Sequence, residues 1–247
     1  MSEIERWEIA EPVETVESQA RWPWRVLVRA LLLSAVVAAI SLGLVYLYNK
    51  AVPGNGMKAV VIWETAVQLA IFFILIRALR HYGISLRDVG FQRSKRSLWH
   101  LLWQLPIAIV SFMALTAYAV QVFAGGVNPQ GTQDVISEVA LNLPPVYFGL
   151  LAVSVAVLAP LWEELAFRGI LFGLLKQRTG LWLAALISGA AFGAMHGYPA
   201  IALPLAYFGV CLALIRHWHD SLWASIITHA FNNGFVILVI TLTVIYD

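Results

Sequence analysis

The chain has 247 residues, 60% of them hydrophobic and only 12% charged, with a net charge of +2. Soluble globular domains carry about 25% charged residues, so this composition excludes an ordinary soluble domain and indicates an integral membrane protein. The lone cysteine, Cys211, excludes an internal disulfide and a cysteine-based metal cluster, and no nucleic-acid partner is expected.

Residues 1–20 hold glutamates at 3, 5, 8, 11, 14 and 17 and no apolar run. They are expected to form an acidic, disordered cytoplasmic tail and not a signal peptide. A spanning helix needs about 20 mostly apolar residues. That criterion predicts spans over 26–48, 59–79, 98–123, 146–175 and 221–245. Two shorter segments, 181–196 and 199–216, are divided by "HGYPA" and are the pair whose full crossing is least secured by length. The expected fold is therefore all-α: a polytopic membrane helical bundle of about seven transmembrane segments. Residues 21–144 supply three helices and their loops, and 145–247 a four-helix core.

Lysine and arginine placement sets orientation. Arg21, Arg25 and Arg29 precede the first span, and Arg77, Arg80, Arg87, Arg93, Lys95 and Arg96 follow the second. Loop 124–145 carries neither residue type, whereas Lys176, Arg178 and Arg216 mark later turns. The pattern predicts N-terminus cytoplasmic and C-terminus outside, in a cell membrane expected to be prokaryotic. Trp22, Trp24, Trp99, Trp103, Trp182, Trp218 and Trp223 gather at the same inferred interface. The basic loop reads as an orientation signal and a contact for anionic membrane lipid. His217 and His219, in "HWH", read as interfacial surface residues.

Most acids fall in the tail, loops or span ends, Glu64 among the last. The exceptions lie in "LAPLWEELAFRGILFGLL", where Glu163, Glu164 and Arg168 interrupt an apolar run. Ionisable groups inside a membrane are costly and normally mark function. His196, His229, Asn232 and Asn233 complete the deep polar set. Glu164 and Arg168, at i and i+4, share a helical face, and Glu163 points about 100° from it. Phe192 lies one turn before His196, and Gly189, Gly193 and Gly197 form a small-residue stripe beside them. With a rise of about 1.5 Å per residue, Glu163, His196 and His229 lie roughly 19, 25 and 13 Å from the cytoplasmic boundaries. Tilt brings them within reach of one another, with His196 the poorest fit. A carboxylate, two imidazoles and an amide suit water activation and oxyanion stabilisation. Glu163, His196 and His229 equally suit a zinc ion with an open position.

"EELAFRG", "FGAMH" and "HAFNN" together resemble the three motifs of the CPBP family, also called Abi. That family includes CAAX prenyl endopeptidases and bacteriocin-processing or bacteriocin-immunity proteins. Its patterns, EExxxR, FxxxH and HxxxN/D, occur here in order on separate segments, and the resemblance covers about residues 145–245. It implies an intramembrane endopeptidase acting on a membrane-anchored or lipidated, CAAX-type peptide. Glu163 would be the base activating water, helped by His196, while His229 and Asn233 would stabilise the oxyanion. Glu164, Arg168 and Phe192 would support them. The family has been read both as metalloendopeptidases, with possible Zn2+, and as metal-free glutamic peptidases. Two other classes compete: a non-catalytic bacteriocin self-immunity or interaction protein, and a proton-coupled transporter using the same buried Glu and His.

Overall fold

The structure, a computed structural model, describes residues 24–51, 56–123, 143–196 and 199–246. The expected acidic tail 1–20 and most of loop 124–145 lie outside the described residues. Seven helices follow in chain order: α1 (Trp24–Ala51), α2 (Gly56–His81), α3 (Leu98–Phe123), α4 (Pro145–Thr179), α5 (Leu181–Met195), α6 (Pro199–His219) and α7 (Leu222–Tyr246). There is no strand among the described residues.

Six of the helices are long and apolar enough to cross a membrane, and the chain is a multi-pass membrane protein. The two short segments part company here. Ile201–His219 qualifies as a span, whereas α5 has 15 residues and reaches only about 22 Å, short of a hydrocarbon core of about 30 Å. Large apolar side chains face outward, Leu102 at 69% exposure, Val110 at 66% and Tyr118 at 67%. Such faces suit lipid tails and not water.

Packing inside the bundle relies on small residues. Along α5, a Cβ on Gly189 would lie 2.6 Å from the carbonyl oxygen of Ala206, and one on Gly193 would overlap the carbonyl of Ala202. The absence of side chains there lets α5 and α6 meet backbone to backbone, the most extensive helix pairing in the structure. Gly197, the third glycine of the stripe, lies outside the described residues. α3 packs on α6, α1 on α2, and α7 against α4 and α6.

Helix α4 is 35 residues long and departs twice from α-helical geometry. Its first π-helical turn, Ser154–Leu158, comes immediately before Pro160. Proline has no N–H for the carbonyl four residues back and crowds the preceding turn, and a widened turn relieves both. A second π-helical stretch, Leu165–Leu171, contains Arg168 and Gly169. The α-helical turn between them, Ala159–Glu164, carries both glutamates. Wide turns of this kind recur at functional sites because they re-aim neighbouring side chains.

The segment between α2 and α3 folds onto the α6–α7 turn. Leu222 N–H donates to the Gly90 carbonyl (2.7 Å), Lys95 N–H to the His219 carbonyl (3.0 Å), and the Ser221 hydroxyl to the Gln92 carbonyl (2.6 Å). Gly90 has φ +104°, and the Arg216 guanidinium occupies the space its Cβ would need. This docking corrects the sequence reading of "HWH". His217 is exposed as expected, but His219 is fully buried, with Nε2 2.9 Å from Gln104 Oε1 and Nδ1 3.0 Å from the Ser94 hydroxyl. The loop covers it, which helical spacing alone did not show.

Candidate active site

The site is assembled from the middle of α4, the end of α5, the middle of α6 and the first half of α7. Glu164 and Arg168 are fully buried and paired, Nη1 to Oε1 at 2.7 Å. The second guanidinium nitrogen, Nη2, donates to the Gly209 carbonyl of α6 at 3.2 Å. Its face also lies over the Phe192 ring, with Cζ 4.4 Å from the centroid. Arg168 thus ties α4 to α5 and α6. The close approach requires glycine at 209, where a Cβ would sit 2.8 Å from the Gly189 Cα.

His229 stands between the two glutamates. Its Nδ1 is 3.0 Å from Glu164 Oε1, and its Nε2 is 3.6 Å from Glu163 Oε2. The first contact is a hydrogen bond in which the ring nitrogen donates to a carboxylate, and the second is longer than a hydrogen bond. Phe192 and Phe208 press edge-on against the imidazole, with centroids 5.5 and 5.8 Å away. Those rings and the Glu164 bond fix its orientation. Glu163 is 8% exposed and His229 3%, so a carboxylate and an imidazole meet where water has little access, and their interaction is weakly screened.

His196 caps the end of α5 and is half-buried. Its Nδ1 lies 2.8 Å from the Phe192 carbonyl, which fixes that nitrogen as the N–H and leaves Nε2 the acceptor. Phe192 meets it edge-on, with ring centroids 4.8 Å apart. Asn233 is placed differently. Its amide donates to the Val155 carbonyl (3.0 Å) inside the first π-helical turn, and it accepts from Asn232 (3.3 Å). Asn232 is the more buried of the two amides, at 6% exposure.

The structure therefore gathers Glu163, Glu164, Arg168, Phe192 and His229 into one buried cluster, sets His196 at its margin, and attaches Asn233 to the turn below Glu163. Sequence reasoning missed Phe208 and Gly209, which hold His229 and Arg168 from the side. An unremarkable "FG" in an apolar helix carries no signal for such a role. It also missed the Thr65–Ser154 hydroxyl pair (2.6 Å) that joins α2 to the start of the π-helical turn.

Among the described residues no three His, Cys, Asp or Glu side chains converge as a metal-ligand set. Nδ1 of both histidines is committed, one to a carbonyl and one to Glu164, which leaves Nε2 as the uncommitted ring nitrogen of each.

A multi-pass helical bundle with a carboxylate–imidazole–guanidinium cluster buried among its last four helices defines a class of intramembrane proteins built to handle protons or water. Residues 145–235, which contain the whole cluster, match the family described as type II CAAX prenyl endopeptidase Rce1-like. This C-terminal segment is thus similar to the CAAX-type (CPBP) intramembrane protease family. It is 28% identical to the putative membrane peptidase YdiL of Bacillus subtilis over 141 residues, 56% of this chain and 55% of that protein. The match thus spans about half the length of that relative. It is 25% identical to the UPF0177 protein YaiH of Lactococcus lactis over 79% of both chains. Against the membrane-embedded CAAX protease MroQ of Staphylococcus aureus it is 23% identical, over 85% of this chain and 88% of MroQ. No solved structure matches the chain significantly.

Proposed function

We propose that the protein is a metal-free intramembrane endopeptidase that hydrolyses a peptide bond of a membrane-associated or prenylated protein. The observation that carries this reading is the His229 imidazole held between Glu164, already paired with Arg168, and Glu163, which has no cationic side chain of its own on α4. Arg168 pairs with one carboxylate and leaves the other for chemistry.

In this reading Glu163 takes a proton from water as the water oxygen bonds to the scissile carbonyl carbon. The proton then passes to the leaving amine as the C–N bond breaks. His229, oriented by its hydrogen bond to Glu164, and His196, whose Nδ1 is held by the Phe192 carbonyl, flank Glu163. Asn233 stabilises the oxyanion once it releases the Val155 carbonyl, and His229 joins it once its Nε2 has gained a proton. The bilayer supplies the means of excluding bulk water, so each electrostatic contact gains strength. The N-terminus is assigned to the cytoplasm and the C-terminus to the outside from the distribution of arginine and lysine.

The test is cleavage of a panel of prenylated and unmodified membrane-anchored peptides by purified protein, comparing wild type with Glu163→Ala. Loss of cleavage in a variant that melts as wild type supports the assignment, and a strong chelator is expected to leave wild-type cleavage intact. Equal cleavage by the two proteins refutes the role of Glu163.

A further inference from the structure

At the start of α3 a groove of about 620 Å³ lies between the basic loop and the membrane-facing side of the helix. One wall carries Arg93, Lys95 and Arg96, and the other Leu98, Trp99 and Leu102. We propose that this groove binds the headgroup of an anionic phospholipid, with its acyl chains running down the apolar wall.

Four observations converge on that occupant. No acidic side chain lines the groove among the described residues, and although Asp220 pairs with Lys95, Arg93 and Arg96 give it a net positive field. The apolar wall is open to the surroundings: Leu98 is 43% exposed, Trp99 77% and Leu102 69%. It leads directly onto the outward face of the Leu98–Phe123 span. Cations above and exposed Trp and Leu below are the two halves of a phospholipid's own chemistry, a phosphodiester joined to hydrocarbon.

The groove is also preorganised. Lys95 donates its backbone N–H to the His219 carbonyl, and its ammonium sits 2.7 Å from Asp220. The Arg96 guanidinium rests 4.2 Å from the Trp218 ring centroid. These contacts hold the cationic wall in place before any ligand arrives, which lowers the ordering cost of binding. A second basic groove, with Arg77, Arg80 and His81 at the end of α2, is about 480 Å³. It lacks the tryptophan of the first, and serves as a comparison. The proposal is independent of the peptidase reading, because it concerns binding alone.

The test is titration of full-length detergent-solubilised protein with phosphatidylglycerol or phosphatidylcholine, with lipid-bound species counted by native mass spectrometry. Glycerol phosphate and inorganic phosphate form a soluble-anion arm. Phosphatidylglycerol is expected to bind at least about tenfold better than phosphatidylcholine, and Arg93→Gln with Arg96→Gln to weaken it about thirtyfold. Arg93→Lys with Arg96→Lys is expected to retain most of the binding, and Arg77→Gln with Arg80→Gln to leave it unchanged. Should the double variant misfold, Arg93→Gln alone, at an exposed position, is expected to lose about fivefold. The proposal is overturned if a folded Arg93→Gln/Arg96→Gln protein binds phosphatidylglycerol as wild type does. It is equally overturned if the Arg77/Arg80 variant loses as much, or if glycerol phosphate binds as tightly as the lipid.

Discussion

Replacing Arg168 by methionine, which keeps most of the side-chain volume, isolates the charge at the centre of the bundle. Arg168 and Glu164 are both fully buried, with Nη1 and Oε1 2.7 Å apart. Their attraction at that distance is about 6 kcal/mol at an effective dielectric of about 20, against which stands a desolvation cost of several kcal/mol for each ion. The net worth of the pair is therefore small, while stranding one partner costs about 3–5 kcal/mol. Because His229 Nδ1 still bonds Glu164, Arg168→Met is expected near the lower end of that range. Glu164→Gln strands a guanidinium that keeps only the Gly209 carbonyl and the Phe192 face, so it is expected to cost at least as much. The double variant should cost less than either single one, a coupling of at least about 2 kcal/mol. Thermal and denaturant unfolding of the four proteins in one detergent measures the cycle. Additive costs would show that the buried ion pair does not carry the coupling described here.

Three further outcomes follow from particular contacts. Thr65 donates to the Val61 carbonyl, so Ser154 must be the donor to Thr65. Thr65→Val then strands a hydroxyl in a residue 2% exposed and should cost about 1–3 kcal/mol, while Ser154→Ala should cost under about 1 kcal/mol. Equal melting shifts would contradict that donor assignment. Gly193→Leu should abolish folding or lower stability by well over about 3 kcal/mol, because backbone and not a movable side chain occupies the space; a variant melting like wild type would disprove the close α5–α6 contact. Partial burial pushes the Asp220 carboxyl up, but Lys95 and Arg216 together hold it below its ordinary value. A depressed carboxyl lends stability that is complete above its unfolded pKa and is lost as pH falls towards the folded one. Hydrogen exchange of segment 85–97 should therefore quicken below about pH 4, and Asp220→Asn should remove that step. The same profile in both proteins would assign the acid sensitivity elsewhere.

Much of this molecule was legible in its residue order. Length and apolarity located the long spans, because a bilayer imposes a minimum run of apolar residues on any helix that crosses it. The i and i+4 spacing of Glu164 and Arg168 dictated their pairing, since one helical turn brings such side chains together whatever surrounds them. Glu163 and His229 stood out because an ionisable group in hydrocarbon needs a reason to be there.

Contacts between segments distant in sequence had no such local rule. Burial of His219 follows from a loop some 125 residues earlier folding over it, and nothing in "HWH" encodes that. The lodging of His229 between both glutamates required α7 to pack on α4, and the bond from Asn233 to Val155 required the widened turn before Pro160. Spans, charge placement and the one-turn ion pair were determined by the sequence itself, because each depends on spacing along a single helix. Which nitrogen of His229 meets which carboxylate was decided only by the tertiary structure, because that depends on how four helices pack against one another.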